Sequence, residues 1–142
     1  MKIKIKKFQK VKSTNDIAIK LIKKNISAPT LITSESQTNG RGRIGKKWIS
    51  KKGNLFISLF FRFDPTKINF KQFAILNALV IKKVISKRIS KKIKIKWPND
   101  LLFNQQKFCG ILQEIIKFNN YEYLIVGIGL NTNTAPQNKG FD

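Results

Sequence analysis

Residues 40–45 read Gly40-Arg41-Gly42-Arg43-Ile44-Gly45, and the choice of fold turns on what these six residues are. They satisfy the pattern G-x-G-x-x-G. As a dinucleotide fingerprint they would open a helix inside a βαβ unit and make the chain a doubly wound α/β protein. The next five residues, Lys46-Lys47-Trp48-Ile49-Ser50, have no helical periodicity. A phosphate loop needs Gly-Lys-Ser or Gly-Lys-Thr after its glycines, and a kinase glycine loop needs His-Arg-Asp and Asp-Phe-Gly downstream; the chain has neither set. From Gln37 to Lys47 there are only Gly, basic and polar residues around Ile44, so the segment is expected to be a loop.

Working outward, Lys2–Phe8 alternates charge and isoleucine as a half-buried strand does. Ser13-Thr14-Asn15-Asp16 resembles a capping box, and Ile17, Ala18, Leu21 and Ile22 carry a helix to about Lys24. Pro29 opens a strand over Thr30–Glu35. Downstream, Asn54–Phe63 (NLFISLFFRF) is apolar on both faces, the pattern of a central strand covered on each side. A long helix is expected over about Asn69–Ile89 with Phe73, Leu76, Val80 and Val84 facing inward. Ile93–Trp97 alternates as a strand. Leu101–Phe103 and Lys107–Phe118 flank a turn at Asn104-Gln105-Gln106, and Tyr121–Asn131 comes after a tight Asn119-Asn120 connection. This order predicts an α+β protein: a mixed, largely antiparallel β-sheet with its helices packed on one face. The tail Thr132–Asp142 has no periodicity and is expected to fray.

At 142 residues the chain is one domain in size, and 42% hydrophobic residues suffice for a packed core. No run approaches the roughly 20 apolar residues that span a bilayer, and no signal-type segment comes after Met1, so no membrane partner and a cytoplasmic location are expected. Without histidine and with one cysteine, Cys109, an internal disulfide, a zinc site and any Ser-His or Cys-His dyad are excluded. Cys109 reads as a small buried residue. The net charge of +22 ordinarily points to nucleic acid. Here, however, arginine occurs only at Arg41, Arg43, Arg62 and Arg88, and the lysines are spread through almost every segment. That is a solvated lysine surface rather than a phosphate-tracking stripe, so salt-sensitive adhesion to polyanions is expected and a specific DNA partner is not.

Against that background, two of the four arginines stand two residues apart between glycines. Guanidinium grips carboxylate or phosphate with a planar fork, and flanking glycines let a backbone close over a ligand. Lys96, by composition a surface lysine, precedes Trp97-Pro98-Asn99-Asp100, where Pro98 ends the strand; Asp100 is a secondary candidate for orienting Lys96 or magnesium. Gly127 and Gly129 alternate along one strand face and leave a flat floor for a ligand, and Gly110 allows close backbone approach. Trp48 reads equally well as core or as a pocket wall.

Taken in order, the landmarks are Ser13-Thr14-Asn15, Gln37-Thr38-Asn39-Gly40-Arg41-Gly42-Arg43-Ile44-Gly45 with Trp48, and Gly53-Asn54-Leu55. Lys96-Trp97-Pro98-Asn99-Asp100, Gly110-Ile111-Leu112 with Glu114, and Gly127-Ile128-Gly129-Leu130-Asn131 complete the series. In that order and spacing the chain resembles the catalytic domain of the biotin–protein ligases (biotin–acetyl-CoA-carboxylase ligases), of the biotin/lipoate ligase superfamily. The resemblance implies a class II synthetase-like catalytic domain that uses ATP and magnesium to convert biotin to biotinyl-5′-AMP. The acyl group then passes to a lysine of the biotin carboxyl carrier protein. It implies biotin contacts at Ser13, Thr14, Asn15, Gln37, Gly40, Gly110 and Gly127. Arg41, Gly42 and Arg43 are similar to the loop that folds over the biotin carboxylate and α-phosphate. Lys96 is similar to a lysine on the carboxylate and adenylate oxygens, and Lys46 and Asn131 stand on the nucleotide side. Arg43, Lys96 and Arg41 are thus the expected catalytic cations, with no metal ligand supplied by the protein. Residues 1–142 are expected to be the catalytic domain alone, without the winged-helix DNA-binding domain or the C-terminal SH3-like domain of longer members. A homodimer is compatible with the resemblance. The alternatives are a lipoate or octanoate transferase of the same fold, whose Arg-Arg-x-x-Gly-Gly segment normally carries a histidine that this chain lacks, and a basic nucleic-acid-binding module.

Overall fold

The computed structural model describes residues 2–89 and 92–133. Its elements are β1 (Lys4–Val11), α1 (Thr14–Lys23), β2 (Thr30–Gln37), β3 (Gly40–Arg41), β4 (Lys47–Trp48) and β5 (Leu55–Phe63). They continue with α2 (Phe70–Ser86), β6 (Lys94–Lys96), β7 (Asp100–Phe103), β8 (Gln106–Phe118) and β9 (Tyr121–Leu130). Seven strands form one sheet in the order β1-β2-β5-β9-β8-β7-β6. Among the described residues every pairing is antiparallel except β1 with β2. The architecture is α+β, as expected. Both asparagine-bearing hairpin turns are left-handed: Asn119 and Asn120 have φ of 48° and 63°, Asn104 and Gln105 φ of 49° and 61°. That twist matches the flanking strands. The tail expected to fray lies, from residue 134 onward, outside the described residues.

The helices do not share a face. Alternate residues of a strand point to opposite sides, and β9 serves both. Tyr123 and Ile125 pack with Phe60, Ile32 and the α1 residues Ala18 and Ile22. Leu124 and Val126 pack with Ile111, Leu101 and the α2 residues Phe73 and Ala78. The expectation of helices on one face is therefore corrected to one helix on each. β5 and β9 are apolar on both sides because each side has its own helix to bury against. Phe56 and Phe60 are fully buried, each contributing about 2–3 kcal/mol of transfer free energy.

The phase of α2 also differs from the sequence expectation. Phe73 is buried, but Leu76, Val80 and Val84 are 46%, 49% and 60% exposed. The inner stripe is Phe73, Ala78, Ile81 and Ile85, with Asn77 donating to Gln113 of β8 at 2.7 Å. Both stripes have helical spacing, since the helix is apolar nearly all round. The one carrying the small Ala78 lets the helix settle closest to the sheet. Asn69 caps α2 through a full capping box with Gln72.

Candidate active site

α1 runs over the rows Phe60·Ile125 and Ser58·Gly127 and ends its cover there, with its N-terminus facing Gly127. Ser13 caps it, accepting from Asp16 N at 3.4 Å. The Asp16 carboxylate does not complete the capping box but meets Arg41 at 3.0 Å. Beyond the helix end, the α1 side of the sheet is built from glycines: Gly110 stands directly opposite Gly129, one row from Gly127.

Over these rows lies the segment expected to be a loop. It is instead a small ribbon, Gly40 pairing with Trp48 and Arg41 with Lys47. Its turn is closed by Gly42 N donating to Lys46 O at 2.6 Å and runs through the left-handed Ile44 and Gly45. The ribbon fills the glycine floor with its own side chain. A Cβ at Gly110 would come within 2.6 Å of Trp48 Cζ3, and one at Gly129 would meet the same indole. At Gly127 a Cβ would collide with Asn15 Oδ1. The glycines thus make room for Trp48 and Asn15 rather than leaving a bare floor, which settles Trp48 as a pocket wall.

A cavity of about 690 Å³ opens at this place. Ser13, Thr14, Asn15 and Gln37 reach it from α1 and β2; Arg41, Gly42, Arg43 and Lys46 from the ribbon; Lys96, Gly110 and Gly127 from the sheet. Two expected site residues do not line it. Gly40 is buried against Trp48 O, Ser50 Oγ and Gln37 Nε2, where a side chain would clash. Asn131 donates its backbone N–H to Phe108 O at 2.7 Å, and its Oδ1 accepts from Asn54 at 3.4 Å.

The neutral part of the lining is a connected network. Gln37 Oε1 accepts from Thr14 N at 2.8 Å and from Thr14 Oγ1 at 3.1 Å, while Gln37 Nε2 donates to Ser50 Oγ at 2.9 Å. The fully buried Ser58 hydroxyl lies within hydrogen-bond distance of Thr14 Oγ1 and Asn15 Oδ1. Asn15 Nδ2 donates to Glu114 Oε2 at 2.7 Å. Most of the donors and acceptors expected to face a ligand are thus fixed by one another, which pre-orients those that remain. Ser50, Ser58 and Glu114 are the members to which the sequence motifs assign no role. The signal for Ser58 was its position as a lone hydroxyl between Leu55 and Phe61 in an apolar strand.

The charged part is lopsided. Among the described residues, six cations (Arg41, Arg43, Lys46, Lys47, Lys96 and Lys107) and one carboxylate, Asp100, line the cavity, which suits an anionic ligand. Arg43, exposed on the ribbon turn, donates to Asn99 Oδ1 at 2.8 Å, which brings it to the same rim as exposed Lys96. Arg41 is different. Its Nη1 and Nη2 donate to the two carboxylate oxygens of Glu114, each at 2.8 Å. Hydrogen bonding to Glu114 chiefly raises its pKa above the ordinary guanidinium range, burial opposes this, and the charges of Glu114 and Asp16 add to the rise. The fork expected to grip the ligand is engaged by the protein. Asp100 pairs with Lys107 at 2.9 Å rather than with the Lys96 side chain, and the Lys107 ammonium stands 5.5 Å from the Trp48 ring centroid. Lys107 was hidden in the lysine background; its position three residues before Gly110 was the available clue. The buried Trp48 Nε1 and Arg41 Nε have no hydrogen-bond partner among the described residues. Burial, then the charge of Asp100, pushes the Cys109 thiol up to about 12.

A model of the biotin/lipoate A/B protein ligase family matches residues 7–131. The bifunctional ligase/repressor BirA of Bacillus subtilis is 36% identical over 126 residues, which are 87% of this chain and 39% of that protein. The biotin protein ligase of Aquifex aeolicus, solved in complex with biotin and ATP, superposes with a TM-score of 0.74 at 31% identity, over 94% of this chain and 55% of that one. The biotin protein ligase of Leishmania major in complex with biotinyl-5-AMP gives 0.75 at 27% identity, over 94% and 59%. The chain therefore spans less than two thirds of the length of each of these relatives.

Proposed function

We propose, since the chain belongs to the biotin/lipoate A/B protein ligase family, that it activates biotin with ATP and passes the biotinyl group to a lysine of a carboxylase carrier protein. The observation that carries this reading is the cavity itself, which joins a neutral hydrogen-bonding network to a lining where, among the described residues, Arg43, Lys46, Lys47 and Lys96 stand beside the Arg41–Glu114 and Lys107–Asp100 pairs. A biotin carboxylate and a nucleotide phosphate are both anions, and at 4 Å two unit charges repel by about 4 kcal/mol at an effective dielectric of 20. Arg43, Lys46 and Lys96 offset that repulsion and stabilise charge as a carboxylate oxygen bonds to the α-phosphorus and the bond to pyrophosphate breaks. The carboxylate is already ionised at neutral pH, so the step needs no general base. In the second step the acceptor amine attacks the acyl carbon and AMP leaves. The ribbon turn Gly42–Lys46 covers the cavity and limits hydrolysis of the anhydride. A thioester route through Cys109 is disfavoured, because a buried thiol pushed up to about 12 stays protonated.

Among the described residues no three His, Cys, Asp or Glu converge on a metal position. No helix among the described residues is long and apolar enough to cross a membrane.

The test is biotin-dependent exchange of labelled pyrophosphate into ATP. Arg43→Ala should lower it about 10²–10³-fold while leaving the unfolding midpoint in place, because Arg43 is exposed. Exchange that ignores biotin, or that survives Arg43→Ala, would refute the assignment. Exchange supported by lipoate as well as by biotin would favour the lipoate reading instead.

A further inference from the structure

We infer that Glu114 is a positioning residue whose carboxylate, holding both Nη atoms of Arg41, latches the base of the 40–48 ribbon and so sets where Arg43 stands. β8 places Glu114 opposite Ile125 on the α1 side of the sheet, where its half-buried carboxylate meets Asn15 and Arg41. It accepts three bonds: two from Arg41 at 2.8 Å and one from Asn15 at 2.7 Å. Asp16, from the first turn of α1, holds the same guanidinium at 3.0 Å. One cation between two carboxylates adds no positive potential for an anionic ligand, so the contribution of Arg41 is mechanical.

The ribbon needs such an anchor. Two paired residues on each side do not make a self-supporting hairpin. Each strand of the ribbon has one fixed point at its base: Arg41 on Glu114, and Trp48 on Gly110 and Gly129. Past those points the turn is exposed, Ile44 at 91%, and Arg43 lies two residues beyond the latch. A bidentate ion pair fixes direction as well as distance. Replacing the carboxylate or the fork therefore releases the ribbon while leaving the cations of the turn in place.

The activity arm of the test rests on the ligase reading; the structural arm does not. Glu114→Gln removes the charge, and Arg41→Lys keeps charge but loses the fork, so the second variant carries the test if the first fails to fold. Native-state trypsin digestion reads the ribbon directly, since Arg43 and Lys46 lie in its turn and Lys47 in the strand that follows. Cleavage there should be about tenfold faster in either single variant and no faster in the double variant. In pyrophosphate exchange, Glu114→Gln should raise the KM for ATP in the wild-type background and add nothing in an Arg43→Ala background, with Glu114→Asp recovering part of the loss. Unchanged cleavage in both single variants overturns the latch. So does a Glu114→Gln penalty of equal size with and without Arg43. If the wild-type chain shows no biotin-dependent exchange, the ligase reading fails and the digestion result still decides the latch.

Discussion

Replacing Gly127 by alanine adds one methyl group where a buried hydrogen bond already stands. The new Cβ would collide with Asn15 Oδ1 and lie 3.0 Å from Asn15 Cγ and 3.1 Å from Nδ2. The backbone of Gly127 is not in the left-handed region, so strain arises from the collision alone. Asn15 cannot yield cheaply: its Nδ2 donates to Glu114 at 2.7 Å and its Oδ1 meets the fully buried Ser58 hydroxyl. Swinging the amide aside loses a hydrogen bond to a charged group, about 1.5–3 kcal/mol, and weakens a neutral one of about 1 kcal/mol. The expected cost is about 2–4 kcal/mol, within the range of overpacked cores. For a chain of this size that lowers the thermal midpoint by about 10 °C. Unfolding of Gly127→Ala, Asn15→Ala and the double variant, monitored by circular dichroism, tests the cause. With Asn15 shortened, Gly127→Ala should cost less than about 0.5 kcal/mol, so the two substitutions are strongly coupled. An equal cost in both backgrounds would refute the collision.

Cys109, with its thiol raised from 9.0 to about 12, should resist thiol reagents in the native state and react on unfolding. The unfolded thiol ionises first, so stability should fall as pH rises from about 9 towards 12; native labelling as fast as that of the denatured chain would contradict the burial. Asp64 is held below its ordinary 3.8 by the Thr66 side chain, then by the Thr66 backbone. Its contribution to stability is present above 3.8 and lost as pH falls through the lowered value. Thr66→Ala should move the NMR titration of the Asp64 carboxyl upward. Asn69→Ala removes the capping box of α2 and should cost about 1 kcal/mol, read as a shift in the urea midpoint at constant slope.

Local signals were legible in the sequence. The Ser13 cap and the asparagine turn before β9 depend on residues within a few positions of one another; β1 forms where its alternation predicts a strand, but it turns Ile3 and Ile5 outward, 43% and 59% exposed, and packs Phe8 on the core instead. The placement of the helices was not, because both sides of β5 and β9 are apolar and only the contacts say which helix takes which side. Nor was the phase of α2, whose two apolar stripes have equal spacing and are separated by the fit of Ala78 to the sheet. In the site, the motifs named most of the cavity lining, and the cations Arg43, Lys46 and Lys96 do meet there. What escaped was pairing across the fold. Arg41 finds Glu114 73 residues away, and Asp100 takes Lys107, one lysine among many. An arginine between glycines advertises anion binding; which anion it binds is decided by the sheet beneath it.

The indole across Gly110 and Gly129 also gives the site its own chromophore. The chain has two tryptophans: Trp97 is 52% exposed at the cavity rim, and Trp48 has its ring nitrogen buried on the glycine floor. The two therefore emit from different surroundings, Trp97 from water and Trp48 from a drier pocket beside the Lys107 ammonium. Any event that lifts the ribbon carries Trp48 into solvent and moves its emission to the red, while Trp97→Phe removes the other contribution. A packing arrangement that makes glycine necessary at two registered positions thus leaves the protein able to signal, in its own light, whether its cavity is covered.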